Sequence, residues 1–397
     1  MSKQKNKSRL RSLNDFDLKN KTILYRSPYD IGSKKVNGEF VIKDDSRIKA
    51  TLPTLNYLLG QNCKIVIITY VKRPNGFDPA LTTAPHAVAL AKLLNHPVKH
   101  VPDCIGEKRK DAISKMNPKD ILMLENVRFY SEEDADDLEF AKKLTEDCDF
   151  IVFDGFPQAH RVNASTTGIL EHLPSCAGFY FESEYYTLKD LVDKYNHPFT
   201  LVIGGAKISD KTEAIYNLYE SVDQILVGGG PANVFLKARG FDMSNSLVEK
   251  FKIDPEKVEK IKIPIDLVIG NDLENPTDSE LFSTQAKIIP DGWAALDIGP
   301  ETANEYVEII KKSKTVFWAG PMGMFENEMF TNGSKMIAKA MCETSANTIV
   351  GGGDTIEALN KFGDPTKIDH VSLAGGATLD FLAGKTLPVI ELLKGEK

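Results

Sequence analysis

The sequence predicts an α/β fold built on parallel sheets and divided into two lobes. Short apolar runs alternate with stretches of helical periodicity along the whole chain, and the runs end on recurrent glycine or arginine junctions. The length of 397 residues is about twice an ordinary domain. Hydrophobic residues at 42% and charged residues at 26% supply enough apolar side chains for sizeable cores.

Bulk properties exclude several classes. A net charge of −7 argues against nucleic acid as the main partner. No apolar run approaches the ~18 residues of a membrane span. The opening "MSKQKNKSRLRS" is basic and polar without an apolar centre, so it reads as a frayed tail and not as a secretory signal. Five scattered cysteines (Cys63, Cys104, Cys148, Cys176, Cys342) form no CxxC pair, which points away from zinc and disulfides and towards a reducing cytoplasm. The histidines show no metal-ligand spacing, and His86, His96, His100, His172 and His197 read as surface or structural residues.

In chain order, strand-like runs fall at "KTILYR" (21–26), "KIVIITYV" (64–71), "DILMLENV" (120–127) and "DFIVFDGF" (149–156). Helical stretches such as "TAPHAVALAKLLN" (83–95) lie between them. Arginine follows these strands: Arg26, Arg73, Arg128 and, a little further on, Arg161. Arg47 opens another helical pattern. One arginine alone reads as a surface ion pair; a set placed after successive strands predicts a pocket for a small anion with more than one negative group. A connecting helix follows in "ESEYYTLKDLVDKYNHP" (182–198), where Tyr185, Leu188, Leu191, Val192 and Tyr195 share one face and Pro198 ends the pattern.

The second half repeats a different junction five times: "FTLVIGGAKISDK" (199–211), "QILVGGGPANVFLKARG" (224–240), "KTVFWAGPMGMF" (314–325), "NTIVGGGDTIEAL" (347–359) and "HVSLAGGATLDFLAG" (370–384). Ser209-Asp210 reads as a helix cap and Gly240 as a helix stop. In a parallel sheet all five junctions would open on one edge, where ligands bind. Glycines there let a backbone approach a phosphate, and the next helix presents N–H groups to it. A single junction is as well explained by a tight turn; five favour a phosphate or nucleotide site. Gly384-Lys385-Thr386 mimics a Walker A ending, but Leu379 stands at its first glycine and Pro388 is expected to spoil the following helix.

The ordered segments "DDSRI", "LLENVRFY"-like "MLENVRFY", "GFPQAHRVNAST", "GGAKISDK", "LDIGPET", "WAGPMGMFE", "GGGDT" and "GGATLDFLAGKTLP" resemble phosphoglycerate kinase, from about Lys21 to Leu393. The resemblance implies two Rossmann-like three-layer α/β/α lobes that close on each other. Residues 1–181 would form the acid-substrate lobe. Residues 182–384 would form the nucleotide lobe, including the connecting helix at 182–197, and 385–397 would pack back on the first lobe. It further implies a cytoplasmic monomer. Its reaction would be phosphoryl transfer between ATP and 3-phosphoglycerate, with ADP and 1,3-bisphosphoglycerate on the other side.

Residue by residue, the resemblance assigns Arg47 and Lys207 to the transferring phosphoryl group, with Gly375 and Gly376 in the loop beside it. Arg26, Asp30, Tyr70, Arg73, Arg128, His160 and Arg161 match acid-substrate positions. Gly205, Lys211, Gly229, Gly230, Pro321, Glu326, Gly352, Gly353, Asp354 and Thr355 match nucleotide positions. Lys211 would hold phosphates, Glu326 the ribose, Asp354 the magnesium of Mg-ATP or Mg-ADP, and Thr355 a phosphate.

Departures cluster in the acid site. Where the family reads Arg-Val-Asp-Phe-Asn-Val-Pro, this chain has Pro28 for the aspartate and Asp30 for the asparagine. Tyr70 replaces a substrate histidine, Lys72 a glycine and Asn163 another histidine. Ala319 replaces a nucleotide-side asparagine, and Leu373-Ala374 a Thr-Gly. A hydrogen bond to a charged group contributes roughly 1.5–3 kcal/mol, so two uncompensated losses would slow transfer on the order of 10²-fold. An Asp30–Lys72 pair would offset the added negative charge. Three readings follow. A working divergent kinase stands first, ahead of a paralogue with another acid substrate and of a non-catalytic nucleotide-binding relative.

Overall fold

The computed structural model describes residues 9–206, 209–250 and 253–395. The chain divides into two compact units, Met1–Tyr186 with Thr386–Lys397, and Thr187–Lys385.

In the first unit the strands are β1 (Thr22–Arg26), β2 (Ser33–Val36), β3 (Glu39–Ile42), β4 (Lys64–Ile68), β5 (Lys99–Val101), β6 (Ile121–Leu124), β7 (Phe150–Phe153) and β8 (Ser175–Ala177). Six of them form one sheet in the order β5-β6-β4-β1-β7-β8, parallel throughout, and β2 and β3 form a separate hairpin. Helices α1 (Ser46–Gly60), α2 (Ala84–Leu94), α3 (Glu107–Ser114) and α4 (Leu138–Thr145) supply the crossovers. β6 and β7 are buried at every residue, as strands covered on both faces must be. Ile23, Tyr25, Ile65, Ile67, Met123 and Val152 join Leu55, Leu58 and Leu90 of the helices in one core.

Helix α5 (Phe179–Asp193) contains the boundary between the units. It starts three residues before the 182–197 expected and ends four earlier. Asp154, at the end of β7, fixes the start by accepting the Phe181 N–H at 2.8 Å.

The second unit holds β9 (Phe199–Ile203), β10 (Gln224–Val227), β11 (Ile261–Lys262), β12 (Asp266–Gly270), β13 (Ser279–Ser283), β14 (Ala294–Ile298), β15 (Thr315–Ala319), β16 (Asn347–Gly351) and β17 (His370–Ser372). Its main sheet runs β11-β10-β9-β15-β16-β17, again parallel throughout. Antiparallel β13-β12-β14 forms a smaller sheet around Leu267, Ile269 and Phe282. The helices are α6 (Ser209–Leu218), α7 (Gly229–Ala238), α8 (Pro300–Lys312), α9 (Asn332–Glu343), α10 (Gly353–Phe362) and α11 (Gly376–Leu382), with Trp318 and Tyr306 fully buried in the core. The strand order reverses direction between β9 and β15, which is where ligands bind in open α/β sheets.

Three local expectations need correction. Ser209, expected as a cap, is the first residue of α6. Pro388 does not spoil a helix: α12 (Pro388–Leu393) begins on it, because the first helical position needs no N–H donor. Residues 9–12 of the opening segment are not a frayed end. Leu10 is buried and pairs with Lys394, and Arg11 donates to the Ser175 carbonyl at 2.8 Å and the Lys394 carbonyl at 2.9 Å. A guanidinium over the last carbonyls of α12 satisfies acceptors that a helix end leaves open.

Candidate active site

In the first unit the carboxyl ends of β1, β4, β6 and β7 carry the expected acid-site residues. Tyr70, two residues past β4, is 3% exposed. The Arg128 guanidinium carbon lies 3.6 Å from its ring centroid and that of Arg26 lies 5.0 Å from it. Arg128 also donates from Nε to Asp134 at 3.2 Å and from Nη1 to the Lys72 carbonyl at 2.8 Å. Lys72 in turn donates its backbone N–H to Asp30 Oδ1 at 2.8 Å, and the Asp30 carbonyl accepts Arg47 Nη1 at 2.9 Å. The compensation expected of an Asp30–Lys72 charge pair is therefore made by the main chain. Lys72 adopts φ 57°, a left-handed conformation that glycine would enter without strain.

Asn163 Nδ2 reaches the same Asp134 oxygen at 3.0 Å, tying the loop of His160 and Arg161 to Arg128. His160 and Arg161 are half-buried there. Arg73 is exposed, and among the described residues no hydrogen bond or ion pair ties it to this set.

Arg26, expected to grip the acid, is committed to the protein's own carbonyls. It is fully buried, with Nε donating to the Ser165 carbonyl at 3.0 Å and Nη1 to the Ser27 carbonyl. Beside it Glu133, also fully buried, accepts the Ser165 N–H at 2.8 Å and its hydroxyl at 2.6 Å. Burial pushes the Glu133 carboxyl up, against the Ser165 hydrogen bonds and the charges of Arg26 and Arg128.

In the second unit a cavity of about 740 Å³ opens at the carboxyl edge of the main sheet. Gly205, Lys211, Gly352, Gly353, Asp354, Thr355, Gly375 and Gly376 line it. Gly352 (φ 99°) caps α10, so the first N–H groups of that helix face an open end. A Cβ on Gly353, Gly375 or Gly376 would meet nothing within 4 Å. These glycines leave room.

The other glycine corners do different work. A Cβ on Gly204 would stand 2.1 Å from the Pro321 carbonyl oxygen, and one on Gly230 2.1 Å from that of Ala206. The N–H groups of Gly205, Gly229 and Gly230 donate to Pro321 (2.6 Å), Met322 (2.8 Å) and Gly205 (2.8 Å). Gly229, Gly230, Pro321 and Glu326 lie outside the cavity lining. Here glycine permits backbone to pack on backbone, and its N–H groups are already used. Thr355, 1% exposed, accepts the Gly320 N–H at 2.6 Å and so braces the loop after β15. Lys207 lies outside the described residues.

Sequence reasoning missed the cavity rim. Lys385 pairs with Glu213 at 2.5 Å and Asp380 at 3.0 Å, joining α6 to the turn after α11. Its signal was the discounted GKT segment.

A phosphoglycerate kinase family model matches residues 13–385. The chain belongs to the phosphoglycerate kinase family. It is 39% identical to the phosphoglycerate kinase of Moorella thermoacetica over 392 residues, covering 96% of this chain and 98% of that one. It is also 39% identical to that of Pelotomaculum thermopropionicum, with the same coverage. Among solved structures, the phosphoglycerate kinase of Coxiella burnetii matches with a TM-score of 0.83 and 34% identity over 97% of this chain and 99% of that one. That of Pyrococcus horikoshii matches with a TM-score of 0.82 and 31% identity over 97% and 98%.

As a phosphoglycerate kinase relative, the chain has the expected two α/β lobes with parallel sheets. Among the described residues no group of three or more His, Cys, Asp or Glu forms a metal cage. Asp354, exposed at the head of α10 in the cavity wall, offers one hard oxygen donor. A single carboxylate completed by phosphate oxygens and water is the donor set magnesium takes with nucleotides. The site fits the group.

Proposed function

We propose that this chain catalyses reversible phosphoryl transfer between ATP and 3-phosphoglycerate, giving ADP and 1,3-bisphosphoglycerate. The observation that carries the reading is the second unit's cavity. Lys211, Asp354 and an open helix N-terminus meet where the strand order of a parallel sheet reverses, in a chain of this family.

In the proposed reaction a carboxylate oxygen of the acid attacks the γ-phosphorus, and the bond from γ-phosphorus to the bridging oxygen breaks. ADP leaves with that electron pair. No proton need move, so the protein's task is placement and charge. Lys211 and the first N–H groups of α10 hold phosphate oxygens. Magnesium, held by Asp354, would neutralise charge on the phosphates. Arg47, whose Nη1 donates to the Asp30 carbonyl, would offset the charge that develops on the transferring group. Arg128 and Arg161 hold the acid.

Location in the cytoplasm and action as a monomer belong to the same reading. No helix among the described residues is long and apolar enough to cross a membrane.

A second reading rests on Tyr70, Pro28 and Asp30, which place a ring, a side chain without polar atoms and a carboxylate among the acid-site residues. A different phosphorylated or carboxylated acid would suit them. One assay separates the two: ADP release with Mg-ATP and 3-phosphoglycerate beside a panel of other acids. Turnover on 3-phosphoglycerate carries the first reading. Turnover confined to another acid carries the second, and none on any acid overturns both.

A further inference from the structure

Two guanidinium groups lie against one aromatic ring in the first unit. Arg128 is at 3.6 Å and Arg26 at 5.0 Å from the Tyr70 centroid, and all three side chains are 9% exposed or less. Like charges this close repel, and burial lowers the Arg26 pKa, with the charge of Arg128 adding to that. The negative face of the ring works the other way, drawing both cations to it. Hydrogen bonds hold Arg128 at Nε and Nη1, and the Tyr70 ring covers its guanidinium carbon at 3.6 Å. Arg26 Nη2 is buried without a hydrogen-bond partner among the described residues.

A fixed guanidinium plane matters for an acid ligand. Arginine recognises carboxylate or phosphate through a planar, directional set of donors, and a fork that already has its orientation loses less freedom on binding. We infer that Tyr70 is a positioning residue for the acid substrate: its ring face is the platform that orients Arg128 beside the buried charge of Arg26. The inference rests on the reading that the first unit binds the phosphorylated acid. The ring face does this work, not the hydroxyl. The phenol oxygen is dispensable.

The test uses the full-length chain with Tyr70→Phe and Tyr70→Leu. It reads the Kd of 3-phosphoglycerate by calorimetry, KM for acid and for Mg-ATP in the coupled assay, and the thermal midpoint. Tyr70→Phe should match the wild type within about twofold. Tyr70→Leu should raise acid Kd and KM about 3- to 30-fold, the worth of a partly desolvated cation–π contact, and leave KM for Mg-ATP unchanged. Should the leucine variant not fold, Tyr70→Met, whose unbranched flexible chain fills an irregular gap without a π face, carries the same expectation.

Acid binding that survives loss of the ring overturns the inference. So does a phenylalanine variant as impaired as the leucine one, or a rise in Mg-ATP KM equal to that for acid. Absent wild-type turnover beside a Tyr70-dependent acid Kd overturns the functional reading alone. Wild-type turnover with Tyr70-independent acid binding overturns this inference alone, and a wild type that binds no 3-phosphoglycerate overturns both.

Discussion

The two units prepare for negatively charged ligands by opposite means. The first uses side chains, and it has already engaged many of them: Arg128 with Asp134, Lys72 and Tyr70, Arg47 with Asp30, Arg26 with Ser165 and Ser27. The second uses the main chain, leaving glycines with empty space at Gly353, Gly375 and Gly376 and a helix start beside them. A side-chain site can be rewritten one residue at a time, and the resemblance puts Pro28, Asp30, Tyr70, Lys72 and Asn163 of this chain there. A main-chain cradle is set by strand order and turn geometry, so it survives while individual side chains around it change.

The largest expected effect breaks the first unit's side of the contrast. Arg47→Ala removes the one expected transition-state cation there, and kcat should fall about 10²- to 10³-fold, with the Kd for Mg-ADP within twofold of the wild type. An unchanged kcat in the coupled assay would show that the acid site does not need that charge.

Next in size is a comparison among the glycines themselves. Gly204→Ala would press a methyl group to 2.1 Å from the Pro321 carbonyl and 2.7 Å from that of Gly320, and neither backbone can move without disturbing the sheet edge. We expect a loss of about 3 kcal/mol in urea unfolding. Gly353→Ala meets nothing within 4 Å, so stability should stay within about 0.5 kcal/mol while nucleotide affinity drops. Equal destabilisation by both would erase the distinction between packing glycines and cradle glycines.

Much of the fold was legible because its signals are local. Apolar runs of four to eight residues, glycine corners and arginines after strands each depend on neighbours in sequence. The site was less legible. All the glycine corners read alike, yet Gly229 and Gly230 pack on backbone while Gly375 and Gly376 face the cavity. Only the strand order, with β15 inserted beside β9, decides which corners touch each other. The Asp30 contact was misjudged for a related reason: a side chain suggests a charge pair, and the backbone N–H of Lys72 gives no sign in the sequence. Tyr70 reads in the sequence as an acid-site residue in place of a histidine, and its contact with two arginines gives no sign there because residues 26, 70 and 128 come from three different strand ends.

A smaller effect sharpens the second unit's side. Asp354→Asn keeps the shape of the α10 start and removes its charge. The affinity for Mg-ADP should fall about tenfold, and that for ADP in chelator should hold or rise. Equal loss in both conditions would make Asp354 a phosphate-loop prop and not a metal ligand.

The last expected effect is a slope with pH, and it extends the contrast to buried acids. In the first unit burial pushes Glu125 up, but hydrogen bonds from His100, Thr83, Asn126 and Thr82 prevail and hold it down to about 2. In the second unit burial pushes Asp297 up to about 8, because the N–H groups of Gly333 and Ile298 oppose it only in part. Its unfolded value is about 3.9. Between those two values the folded chain keeps a proton that the unfolded chain releases. The contribution of Asp297 is therefore full below about pH 4, falls as pH rises, and levels off above about 8. The slope from this one group is at most about 1.4 kcal/mol per pH unit. Urea midpoints at pH 5, 6, 7 and 8 should decline in the wild type and decline less in Asp297→Asn, which has no proton to lose. Parallel declines would place the titration elsewhere and leave the second unit's buried carboxylate as well compensated as the first's.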